Sequence, residues 1–126
     1  MTDIPDGTDP AALANWLFDL ARQGDAARLG AYVDAGAPVD LTDADGNTLL
    51  MLAAYHDQAA TVAELIARGA DVNAPNHRGQ TPLAGAVFKQ ADDVIAALRE
   101  AGADPDAGTP TARATAAMFG RPDLFA

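Results

Sequence analysis

His56 and His77 are the two histidines of the chain, and the side chains most ready for chemistry near neutral pH. Catalysis would need one of them beside a nucleophile, or a carboxylate pair in a cleft. No third residue stands at a useful spacing from either, so no catalytic role can be assigned and the chain reads as a non-enzyme. There are no cysteines. That removes a cysteine nucleophile, a thiolate zinc site and a disulfide framework. His56-Asp57 and the pair Asp43/Asp45 form no recognised ligand set, and exposed aspartates are ordinarily solvated. Neither GxGxxG nor the phosphate-loop pattern ending in Gly-Lys-Ser/Thr occurs, so no cofactor is expected.

Composition narrows the remaining classes. The chain has 126 residues, room for one domain and enough to bury a core without staples. Eighteen acidic residues against 8 basic ones give a net charge of -10. Such a surface repels phosphate backbones, so nucleic acid is not an expected partner. All acids but Glu64 and Glu100 are aspartate, and Lys89 is the sole lysine. Alanine-rich, lysine-poor composition suits a bacterium with a G+C-rich genome, and a salt-adapted source would resemble it. The longest apolar run, Leu49 to Ala54, is about six residues, far below the roughly 20 that a membrane helix needs. Met1 to Pro10 carry no basic stretch, unlike a secretory leader. The expectation is a soluble cytoplasmic protein with no membrane partner.

The elements that position these side chains follow an internal period of 33 residues. Gly36, Gly69 and Gly102 fall in register, as do Ala37, Ala70 and Ala103. Gly46 matches Gly79, and Thr48 matches Thr81. Asp40, Asn73 and Asp106 share a column, and so do Leu20, Ala53 and Ala86. Thr48 and Thr81 can cap helices, with Pro82 at a first helical position. Short apolar helices are predicted over Leu49 to Tyr55 and Leu83 to Phe88. Second helices follow over Ala59 to Arg68 and Asp92 to Ala101, closed by Gly69 and Gly102. Asp45-Gly46 and Arg78-Gly79 read as turns. Each unit has one apolar face that it cannot bury alone, so the units stack.

With this period and punctuation the chain resembles an ankyrin repeat protein over roughly residues 10 to 126. Arg78-Gly79-Gln80-Thr81-Pro82-Leu83 opens the unit that matches best, and Ala101-Gly102-Ala103-Asp104 closes it. The resemblance implies an all-α solenoid of about four helix-turn-helix units joined by hairpin-like fingers. The predicted units are 9–42, 43–75, 76–107 and 108–126. The first is a cap: Asp9-Pro10 starts a longer helix to about Arg22, striped by Leu13, Trp16, Leu17 and Leu20. Asp25 opens its second helix and Gly36 ends it. In the last unit, aligning Ala116-Ala117 with Ala53-Ala54 removes about three residues from the finger at Gly108-Thr109-Pro110. Its second helix, near Arg121-Pro122, has barely one turn. Leu124 and Phe125 either fold back on the third unit or leave an open end. Met51 and Ala84 replace the histidine of the family's Thr-Pro-Leu-His motif.

The resemblance also implies where a partner would sit. The two residues after each Ala-Ala position point into the concave groove: Arg22-Gln23, Tyr55-His56, Phe88-Lys89 and Met118-Phe119. The finger positions are Ala44, Asp45 and Asn47, then His77, Arg78 and Gln80. Tyr55, Phe88 and Met118 or Phe119 thus form a ladder of large apolar side chains, an interaction stripe if exposed or gap-filling core if not. His56, His77, Arg78 and Lys89 gather scarce positive charge on the same side, which suits an acidic or mixed-charge partner segment. The leading expectation is a non-catalytic module that binds another protein through this face, as a monomer rather than a homo-oligomer. The alternatives are self-association through Met118, Leu124 and Phe125, or a small-molecule or metal binder using the histidines.

Overall fold

Asp9, Asp25, Thr48, Thr81 and Thr111 each stand one residue ahead of a helix, and each side chain accepts a backbone N–H of the first turn. The first turn of a helix leaves such donors open, and these short oxygen-bearing side chains close them. The computed structural model describes residues 9–126. The stretch read as lacking a leader therefore lies, up to residue 8, outside the described residues.

Seven α-helices follow in order: α1 (Pro10–Gln23), α2 (Ala26–Asp34), α3 (Leu49–Tyr55), α4 (Ala59–Ala67), α5 (Pro82–Phe88), α6 (Asp92–Glu100) and α7 (Ala112–Met118), then a 3-10 helix, Pro122–Phe125. Among the described residues there is one isolated bridge, Thr42 to Thr48, and no named strand. The fold is the all-α repeat solenoid expected. Helices α4 and α6 each end one residue short of the predicted limit, with Arg68 and Ala101 as their C-caps. After Arg68 the chain turns left-handed at Gly69 (φ 91°). Gly69 N donates to Ile66 O, and Ala70 N to Leu65 O. A residue with a Cβ is strained there, and for this reason glycine recurs at the position.

The helices form two layers. The inner layer holds α1, α3, α5 and α7, each packed on the next; α2, α4 and α6 form the outer layer. Between them lie Leu17, Leu29, Leu49, Leu50, Leu65, Leu83, Val87 and Leu98, all fully buried. Ala53, Ala54, Ala86, Ala112 and Ala116 are buried too; thin side chains let the inner helices approach closely. Arg68 ties the outer layer together, pairing with Asp34 of α2 at 2.9 Å and with Glu64 of α4. Its hydrogen bonds to Asp34 hold that carboxyl below the ordinary carboxylate range.

Successive units are also stitched by the loops. Asp40 Oδ1 accepts from Asp71 N at 3.0 Å, and one period on Asn73 Oδ1 accepts from Asp104 N at 2.8 Å. These bonds are the physical reason for that sequence column. The third member, Asp106, pairs with Arg113 of the last unit instead, at 2.8 Å. The fingers join edge to edge: His77 N donates to Asp45 O, and Thr109 N to Gly79 O, both at 2.9 Å.

The last unit closes on itself. Thr111 caps α7 30 positions after Thr81, so its finger is three residues short, as the alignment of Ala116-Ala117 required. Phe125 is 6% exposed, and Leu124 packs partly buried against the core. The Arg99 guanidinium lies 5.2 Å from the Phe125 ring centroid and donates to Leu124 O, while Arg113 donates to Phe125 O. The apolar end thus folds back, the first of the two sequence alternatives.

One buried group is at odds with its surroundings. The Thr61 hydroxyl in α4 is buried with no hydrogen-bond partner among the described residues. An unpaired hydroxyl in an apolar site is costly, and a methyl of the same shape is not. Thr61→Val is therefore expected to raise stability by up to about 1 kcal/mol in urea unfolding. A comparable loss would mean that the hydroxyl is partnered.

Candidate functional site

Each of α3, α5 and α7 ends on a large apolar side chain: Tyr55, Phe88 and Met118. The inner helices lie side by side, so the repeat period sets these ends in a row on one face. The row is exposed. Tyr55 is 38%, Phe88 53%, Phe119 40% and Met118 74% accessible. These values decide between the two sequence readings of the ladder: the rings do not fill core. They contact each other instead. Tyr55 and Phe88 stack at 6.5 Å with planes 9° apart, and Phe119 meets Phe88 edge-on at 5.6 Å. Lys89 Nζ lies 4.9 Å from the Tyr55 ring centroid, close enough for attraction to the ring face.

The rings and the fingers enclose an open groove of about 530 Å³. Of the eleven residues singled out from sequence, Asn47, Tyr55, His56, Arg78, Gln80, Phe88 and Met118 line it. Lys89 and Phe119 border it through Tyr55 and Phe88. Asp45 and His77 do not line it. Asp45 is exposed in the turn before Gly46, and His77 packs on that glycine, where an added Cβ would meet Cδ2 of its ring at 2.5 Å. The Arg22-Gln23 pair is outside the lining as well. Arg22 is ion-paired with Asp19 at 2.9 Å, and its carbonyl accepts from Gln58.

The finger wall is held rigid by a residue that the sequence reading passed over. Buried Asn76 donates Nδ2 to Asn47 Oδ1 at 2.9 Å and to Gln80 Oε1 at 2.8 Å. Its Oδ1 accepts from the backbone N–H groups of Arg78 and Gln80. Asn47 and Gln80 are thereby fixed before any ligand arrives. Met51, Ala84, Gly85 and Thr115 complete the floor. They stand three or four residues before Tyr55, Phe88 and Met118, the spacing that brings side chains onto one helix face. That rule was available from sequence and would have found them. The Met51 methyl lies against Gly85, 3.1 Å from where a Cβ would be.

Positive charge stands near His56 in the groove. His56 has its pKa lowered, first by desolvation and then by the positive charges of Arg22 and Lys89. Folding thus favours its neutral form. The sign follows: this contribution to stability is present above the unfolded pKa of about 6.5 and is lost as pH falls towards the folded value. A histidine NMR titration of Lys89→Gln is expected to move the His56 midpoint upward, and no movement would remove Lys89 from its surroundings. Among the described residues no group of three or more His, Asp or Glu side chains could hold a metal ion. No described helix is long and apolar enough to cross a membrane. The groove offers shape, aromatic surface and a few fixed polar groups, the means to bind.

Comparison with known proteins agrees with the geometry. Residues 17–109 match the family described as ankyrin repeats, in three copies. A protein of Pseudomonas aeruginosa described as an ankyrin repeat protein is 43% identical over 65 residues. That stretch spans 49% of this chain and 38% of the relative's length.

Proposed function

The chain belongs to the ankyrin repeat family, whose members are in general protein-interaction modules and not enzymes, and from that premise we propose that it is a non-catalytic module that binds a partner protein in the groove of its inner helices. Tyr55 and Phe88 are the anchors of this reading, with Arg78, Gln80, Asn47, His56 and Lys89 as polar contacts and Met118 and Phe119 at the far end. The unit bounds 9–42, 43–75, 76–107 and 108–126 belong to the same proposal, as does a monomeric cytoplasmic protein.

One observation carries it: stacked aromatic rings, 38% and 53% exposed, beside a finger wall already fixed by Asn76. Exposed apolar patches of this kind mark interaction sites, and aromatics in a preformed setting lose little freedom on binding. Self-association through Met118, Leu124 and Phe125 is the weaker reading: Met118 is exposed, but Phe125 and Leu124 are covered by the chain's own Arg99 and core.

The test is affinity capture from the source cell lysate, with the wild-type chain beside a folded Tyr55→Ala/Phe88→Ala variant. A protein retained by the first bait and lost by the second is the expected result. The same set on both baits, or nothing on either, would refute the groove reading.

A further inference from the structure

A chain of net charge -10 has only 8 basic side chains, and most are taken up internally. Five arginines pair with the chain's own carboxylates, and Arg99 covers the Phe125 ring and the Leu124 carbonyl. Two remain, Arg78 and Lys89. Neither has a carboxylate partner among the described residues, and Lys89 lies over the face of Tyr55. Both belong to the groove: Arg78 lines it, and Lys89 borders it through Tyr55.

Their placement is specific. Arg78 lies in the finger ahead of α5, and Lys89 directly follows its last residue. The seven residues of α5, about 10 Å long at roughly 1.5 Å per residue, and the finger residues Gly79, Gln80 and Thr81 lie between them. The floor between these cations is apolar, with Phe88 and Tyr55 above Gly85. The acidic Asp45 lies outside the lining.

Building on the reading of the groove as a partner site, we propose that its occupant is an acidic peptide segment: an extended stretch of the partner with a large apolar side chain seated against Tyr55 and Phe88, and carboxylates flanking it that reach Arg78 and Lys89. Binding such a segment breaks no internal ion pair. The rest of the surface repels its carboxylates, so the charge that opposes it elsewhere directs it to the groove.

The test is selection from a display library of random heptapeptides on three baits: wild type, Arg78→Gln/Lys89→Gln, and Tyr55→Ala/Phe88→Ala, each confirmed folded by circular dichroism. Wild type is expected to enrich an aromatic or branched apolar residue flanked by Asp or Glu. The charge variant is expected to bind the best acidic peptide about tenfold more weakly, the scale of one or two partly exposed charge pairs. On the wild-type protein, an amide version of that peptide, with Gln and Asn for its acids, should weaken equally, and this arm needs no protein variant. Enrichment of apolar peptides without acids, or of basic ones, would overturn the acidic occupant and leave the groove reading standing. No enriched peptide, with wild type sedimenting as a dimer that the ring variant abolishes, would assign the groove to a second copy and overturn both.

Discussion

Leu65→Ala and Leu98→Ala are each expected to lower the unfolding free energy by about 2 to 5 kcal/mol. Both leucines are fully buried in outer-layer helices, α4 and α6. Each stands where its helix packs on the inner helix of its own unit and on the neighbouring outer helix. A cavity there loosens contacts within a unit and between units at once. Repeat stacks draw their stability from these nearest-neighbour interfaces, and a short array has few of them. Urea unfolding of the two variants checks the expectation. A loss under about 0.5 kcal/mol, the range of surface substitutions, would show that the register of these helices is wrong.

Most of the fold was legible because the sequence repeats its punctuation. Thr48 and Thr81 announce helix starts, Gly69 and Gly102 announce stops, and the 33-residue period turns one unit into a stack. The ends were harder to read, because the period fails there. Thr111 caps α7 at a shortened spacing, so sliding the chain by 33 passes over it. The fate of Leu124 and Phe125 depends on Arg99 and Arg113, which lie 26 and 12 residues before Phe125 and outside any repeat column. No local pattern links them. In the groove, the exposed rings were found because they recur. Asn76 was missed because its column changes residue type: Asp43, one period earlier, accepts from Asp45 N and Asn47 N in the same way, but only the amide of Asn76 can also donate across to Asn47 of the neighbouring finger. Asp45 and His77 were placed at the groove by position in the finger. The structure turns His77 onto Gly46 instead, because a glycine leaves room for the ring.

Tyr55→Ala/Phe88→Ala is expected to weaken partner binding about 100-fold or more, since buried anchors are worth about 2 kcal/mol or more each and each 1.4 kcal/mol is tenfold. The effect should fall mainly on dissociation, as it does for most interface truncations. Folding should be nearly untouched, because both rings are substantially exposed in the free protein and surface changes stay within about 0.5 kcal/mol. Glu100→Ala, at the exposed end of α6, is the matched control and should bind as wild type. Equal affinity for the ring variant and the control would show that the stacked pair contributes nothing to recognition.

In the proposed function the partner lies in the groove between the inner helices and the fingers. The most direct measurement is an NMR titration of the isotope-labelled chain with the captured partner, or with the shortest segment of it that binds. The amide shifts are expected to concentrate at Tyr55, His56, Arg78, Gln80, Phe88 and Lys89, with the outer helices α4 and α6 unmoved. Shifts confined to the outer helices, or to Leu124 and Phe125, would place the partner outside the groove.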